Sequence, residues 1–407
     1  MPDSPPDMQP YTPPDMPRDT RADAHVFTRR FDEGGGEGGP LAGLRVSVKA
    51  LFDVRGYPTT AGSPALSDAP ARDDAISVAR LRAAGARLVG HTSMTELAYS
   101  GLGVNPAGTP DNPLRPGTIP GGSTAGGAVS IALGLADAAL GTDTGGSLRI
   151  PAAFCGLVGF KPTQASVPRE GCVPLSPSLD SVGPIARDVA TCARVWRVLA
   201  DGEPAPTPDA LPDLVVPANF GRTDTDREVE DAFAAALDAV RGEGATVARE
   251  ALPSLDAYAA HPVWHYAAIE SRAAHAGAWE RRRHLIDPRV ASRMARADGV
   301  GAVRYRQTLD ERVALIAAFR AELGGRMLAL PTVAVPPPTL EAVEADYDRL
   351  NLLALRNTTL ANVMDGCSIS LPIGRGRPVG FMLTAPGGAD EALLAAAARL
   401  EPVLAAL

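Results

Sequence analysis

The chain has 407 residues, of which 45% are hydrophobic and 21% charged, with a formal net charge of −8. That length buries a sizeable core, as one large domain or two ordinary ones, and the negative balance excludes a basic nucleic-acid-binding surface. No charged-then-apolar leader or long apolar span stands out, and Cys155, Cys172, Cys192 and Cys367 lack metal-ligand spacing. The expectation is a cytoplasmic protein with reduced core thiols, no metal and no membrane contact.

Seven prolines in the first twenty residues make residues 1–22 an extended, disordered arm, with the folded domain expected over 23–407. Residues 33–40 form a glycine-rich loop. Residues 44–54 alternate, carry β-branched side chains and read as a core strand holding Lys49. A helix over 75–84 ends at Gly85, and a short buried strand over 86–91 follows, with His91 as a core histidine. Residues 105–120 are turn-rich. The run 128–139 reads as a short buried helix entering a strand at 138–140, which breaks at the polar turn 141–146. Residues 181–187 continue the core, 188–199 form a helix, and 201–213 are a surface connection rich in Pro and Asp. From 214 to about 325 the pattern is mostly helical, with helices over 226–241, 254–278 and 307–323 and short strands at 214–216 and 245–247. A buried strand at 327–332, a helix and strand within 351–373, a strand at 379–383 and a helix over 391–406 complete the chain. Strands alternating with helices indicate an α/β fold.

Two Gly-Gly-Ser elements, 121–123 and 145–147, stand out against this background. Glycines on both sides of Ser123 let backbone approach backbone closely. Ser147 sits at a helix start, with Pro151 in the first turn, so backbone N–H groups point near its hydroxyl as an oxyanion hole requires. One such element alone reads equally as an N-cap and a turn. None of the six histidines lies near either serine, so a serine nucleophile here needs another base, and lysine is the known substitute. The chain has only Lys49 and Lys161. Lys49 at the end of a buried strand either snorkels to solvent or is desolvated into a usable base near neutral pH. His261 and His265, four apart on a helix, lack the carboxylate motif of a metal site.

The segments VSVK (46–49), PGGS (120–123), GTDTGGSLRIP (141–151) and GFKPT (159–163) together resemble the amidase signature family of serine hydrolases. The resemblance is dense over about 41–187 and returns at the C-terminus, and the 24-residue separation of Ser123 and Ser147 is the family's. It implies the amidase signature fold, a large mixed, mostly parallel sheet surrounded by helices. It also implies a Ser-Ser-Lys triad: Ser147 as nucleophile, Ser123 as the bridge after a cis peptide bond, and Lys49 as base. Backbone N–H groups of Thr144, Gly145, Gly146 and Ser147 would form the oxyanion hole. No metal or organic cofactor is implied.

By the same resemblance Met94 lines the site wall, and Thr124 stands where a second serine is usual. Asp143 orients the loop, and Arg149 pairs with Asp143 or reaches a substrate carboxylate, the pairing being the better reading. Glu96 braces structure. The variable helical region, about 214–325, shapes the acyl pocket. The implied function is hydrolysis of a small-molecule carboxylic amide to acid plus ammonia or amine through an acyl-enzyme. The alternatives are a urea-like (biuret or allophanate type) hydrolase, the glutaminase-like A subunit of a tRNA-dependent amidotransferase, and a catalytically silent binding module. Family members usually begin with two helices that often contribute dimer contacts, and the Pro-rich arm stands in their place. A homodimer is the assembly carried over.

Overall fold

The computed structural model describes residues 23–31, 33–36, 38–202 and 211–407. The expected arm at 1–22 lies outside the described residues, as does most of the connection at 201–213. The strands are β1 (Phe27–Arg30), β2 (Arg45–Lys49), β3 (Arg87–Thr92), β4 (Ala138–Asp143), β5 (Val158–Lys161) and β6 (Ser181–Ala186). They continue with β7 (Leu214–Pro217), β8 (Val247–Glu250), β9 (Met327–Pro331), β10 (Cys367–Pro372) and β11 (Gly380–Ala385). All eleven join one sheet in the order β1-β3-β2-β4-β6-β5-β10-β11-β9-β7-β8.

The central strands are covered on both faces, every residue of β4, β5 and β6 being buried. On β4, Ala138 and Leu140 enter one core cluster and Ala139 enters another, the two-residue period dividing one strand between two layers. The helices Val189–Ala200 and Asp390–Ala405 belong to the first layer, and the helix Ala125–Ala132 to the second. Among the described residues no helix is long and apolar enough to cross a membrane.

The α/β architecture with a large mixed sheet is present, but antiparallel neighbours outnumber parallel ones. Six pairings are antiparallel, including β4/β6, β5/β6, β5/β10 and β10/β11. Four are parallel: β2/β3, β2/β4, β7/β8 and β7/β9. One cause lies in a connection. A parallel return needs a long crossover, whereas β10 reaches β11 through a short loop of residues 373–379.

Two element boundaries also moved. The strand expected over 44–54 ends at Lys49, and Phe52 forms an isolated bridge with Cys172. The helix expected over 254–278 is broken into Pro253–Ala260, Trp264–Ala274 and Ala276–Arg282. Pro262 explains the first break, since it drives the preceding His261 to an extended ψ of 135°.

The parallel pair β2 and β4 brings its C-terminal ends, Lys49 and Asp143, to the same edge of the sheet. The helix Ala125–Ala132 leads into β4 from Ser123 and packs closely enough that a Cβ on Gly126 would lie 2.3 Å from the Val26 carbonyl oxygen. The turn 144–148 then leads from β4 into the helix Arg149–Phe154.

Candidate active site

Lys49 is fully buried, and its Nζ donates to Ser123 Oγ at 2.8 Å and to Thr142 Oγ1 at 3.0 Å. No carboxylate touches it among the described residues. Burial therefore dominates and lowers its pKa to about 7, against the opposing pull of the nearby Asp143 and Asp180 carboxylates. The lysine is thus partly neutral at physiological pH rather than a fixed cation.

Ser123 is buried, and the Gly122–Ser123 peptide bond is cis. Ser147 lies in the turn 144–148 and lines a cavity of about 900 Å³ together with Thr144 and Gly145. Ser123 and Lys49 are not among the lining residues, so Ser147 is the member of the trio that meets the cavity.

The turn is pinned by Asp143. Its Oδ1 accepts from the Gly146 N–H at 2.8 Å and its Oδ2 from the Leu148 N–H at 3.1 Å. Arg149 completes a bidentate pair with the same carboxylate, Nε at 3.0 Å and Nη2 at 2.7 Å, both side chains fully buried. Burial alone raises the Asp143 carboxyl, but Arg149 outweighs it and holds the group below the usual carboxylate range. The Gly146 amide is consumed in this contact, which removes it from the expected oxyanion set and leaves Thr144, Gly145 and Ser147 as the candidates.

A second clamp comes from more than 200 residues away. Thr358 and Thr359 donate their hydroxyls to the Gly145 carbonyl at 2.5 and 3.1 Å. Asn362 Nδ2 donates to the Asp143 carbonyl at 2.9 Å, and Arg149 Nη1 donates to the Thr358 carbonyl at 2.7 Å. Below the turn, Asp180 accepts the Thr144 hydroxyl at 2.5 Å, and burial pushes this carboxyl up to about 6.

Other expected site residues sit elsewhere. Met94 is buried against Gly62, its carbonyl accepting from Asn105, and does not line the cavity. Thr124 is buried beneath the sheet edge, packed on Gly127 and Gly141, and is also absent from the cavity wall. Arg149 has no exposed surface and spends its donors on Asp143, Thr358 and Asn362, so it cannot reach a substrate carboxylate. Its pairing with Asp143 is the role the geometry supports. Glu96 does brace, accepting from the Ser63 hydroxyl and the Asp287 amide. His261 and His265 turn to separate partners, Tyr266 Oη and Thr308 Oγ1, each at 2.8 Å. Lys161 is buried too, but its Nζ donates to the carbonyls of Pro162 and Gly366, away from both serines.

Comparison with known proteins agrees with the geometry. Residues 16–394 match the family model described as Amidase. The chain is 37% identical over 382 residues to 2-amino-5-chloromuconic acid deaminase of Comamonas testosteroni, covering 90% of this chain and 82% of that one. It is 34% identical over 416 residues to the A subunit of the glutamyl-tRNA(Gln) amidotransferase of Halobacterium salinarum, covering 90% and 97%. A crystal structure of an amidase superposes with a TM-score of 0.82 at 34% identity, covering 90% of this chain and 86% of that one. Since the match runs from the strand of Lys49 through both glycine-flanked serines to the distant clamp at Asn362, the chain belongs to the amidase family of carbon–nitrogen hydrolases.

Proposed function

We propose that the protein hydrolyses a small carboxylic amide to acid plus ammonia or amine through an acyl-enzyme on Ser147. The observation that carries this reading is the 2.8 Å contact between a buried lysine with pKa about 7 and the Ser123 hydroxyl. In its neutral form Lys49 accepts the Ser123 proton as Ser123 accepts that of Ser147, and Ser147 Oγ bonds to the amide carbonyl carbon. The relay requires Ser147 Oγ within hydrogen-bond reach of Ser123 Oγ. The tetrahedral oxyanion meets the Thr144, Gly145 and Ser147 amides. The C–N bond then breaks as the proton returns through Ser123 to the leaving nitrogen. Water, deprotonated by the same relay, attacks the ester carbonyl and releases the acid and free Ser147.

The test is ammonia release from acetamide, propionamide, benzamide, indoleacetamide, malonamate, glutamine, biuret and allophanate, with Ser147→Ala beside wild type. Turnover of any amide that vanishes in the variant sustains the reading. No turnover by folded protein sinks it.

An amidotransferase component is the second reading, favoured by the 97% coverage of the Halobacterium salinarum relative. Release of ammonia from glutamine only in the presence of a partner protein would select it. The four free cysteines suit a reducing cytoplasm. A homodimer is tested by sedimentation velocity.

A further inference from the structure

The cavity that holds Ser147 is lined by four arginines, Arg289, Arg293, Arg296 and Arg356, against one carboxylate, Asp348. This is a concentration of positive charge in a chain whose net charge is −8. Two of the four already have their partners. Arg289 forms a bidentate pair with Asp287 at 3.0 and 2.6 Å. Arg356 is tied to the carbonyls of Gly221 and Thr223 and to the Thr225 hydroxyl.

The other two are held but not neutralised. Arg293 donates to the Tyr99 carbonyl at 2.8 Å and meets Asp348 at 3.2 Å. The Asp348 side chain is 90% exposed, so this pair is screened and weak. Arg296 stacks with Cζ 4.0 Å from the centre of the Trp264 ring, and no carboxylate pairs with it among the described residues. Arg293 is likewise stacked, with Cζ 4.8 Å from the Tyr347 ring centre. Stacking fixes the Arg296 guanidinium by its face and leaves the N–H groups of its edge for a carboxylate, whereas Arg293 spends Nη1 on Tyr99 and Nη2 on the exposed Asp348, which a substrate carboxylate would displace. The two arginines are three residues apart at the end of the helix Pro288–Ala295, hence on one face. The same cavity is also lined by apolar side chains, including Leu175, Leu179 and Val263, which suits a short carbon chain.

We propose that Arg293 and Arg296 bind a carboxylate carried by the substrate several bonds from the scissile amide. The preferred substrates are then monoamides of dicarboxylic acids rather than neutral amides. This rests on the reading of Ser147 as the group that attacks the amide. It moves the recognition of a substrate carboxylate from Arg149, which is sealed in the core, to the wall formed by the variable helical region.

The experiment compares malonamate, succinamate and glutaramate with the neutral amides in which a methyl replaces the carboxylate: propionamide, butyramide and valeramide. The expected result is a kcat/KM for the best carboxylate-bearing amide about 100-fold above its neutral counterpart. That ratio should fall about 10- to 100-fold in Arg293→Gln and in Arg296→Gln, and recover in part in Arg296→Lys. A wild-type ratio near one, or a ratio unmoved by both substitutions, overturns the proposal. Should Arg293→Gln fail to fold for want of its bond to Tyr99, Arg296→Gln, which gives up only a ring contact, decides alone.

Absence of any Ser147-dependent ammonia release would be a failure of the hydrolytic reading and is separable. Calorimetric titration of Ser147→Ala with succinamate and glutaramate then tests the carboxylate site by itself. Binding weakened at least about tenfold by adding Arg296→Gln supports it, and no binding or no weakening overturns it.

Discussion

Lys49 illustrates how burial shifts the protonation of an ordinary side chain. Its hydrogen bonds go to two hydroxyls and the Thr142 carbonyl and not to a carboxylate, so no direct ion pair offsets desolvation. With a pKa of about 7, the neutral, proton-accepting form grows as pH rises. We therefore expect kcat/KM to climb through about pH 7 and level off above it, since that ratio reports the free enzyme's ionisations. Lys49→Met should lower kcat about 10²–10⁴-fold, the usual range for losing a general base. The Asp180 carboxylate favours the charged lysine. Asp180→Asn should therefore move the limb of the profile to lower pH, and a limb that stays put would assign it to a group other than Lys49.

On the proposed reading the turn 144–148 carries the nucleophile, and it is held from within by Asp143 and from a distance by Thr358, Thr359 and Asn362. Arg149→Met would leave Asp143 charged, buried and without its guanidinium. The expected cost is about 3–5 kcal/mol in chemical denaturation, with activity lost in any fraction that folds. Gly146 has φ of +137°, and a Cβ there would lie 2.2 Å from Thr358 Oγ1. Gly146→Ala should therefore displace the turn and abolish amide hydrolysis while circular dichroism still reports folded protein. Lys49, Ser123 and Ser147 stood out in the sequence as candidates because each sits in a short segment that resembles a family motif and that glycines, strand pattern or helix start constrain locally. The direction of the Gly146 amide was not legible, because it depends on a backbone rotation that residue type leaves free. Nor were Thr358 and Asn362, which occupy ordinary helical sequence more than 200 residues from the turn they hold. The α/β alternation was equally plain, but pairing direction was not, since antiparallel pairs such as β5/β6 and β10/β11 cannot be read from apolar runs alone.

At the scale of the whole molecule, sequence order and spatial order are interleaved. The last two strands, β10 and β11, lie between β5 and β9 in the interior of the sheet. We propose that residues 23–407 fold as one unit, and we expect a single cooperative calorimetric transition with matching van't Hoff and calorimetric enthalpies. A chain ending at Asp365 would lack β10 and β11, leaving β5 and β9 with one partner each and an open gap in the sheet, and should be recovered insoluble or without a melting transition. Asp143 and Asn362, joined across the turn, are 219 residues apart. At synthesis rates of about 5–20 residues per second, a ribosome needs roughly 10–45 s to travel between them. For that interval the nascent polypeptide carries Ser147 on an unsupported loop, and on the proposed reading a product terminated within it would be inert. The competence to cut amides would then arrive only once the clamp itself has been translated.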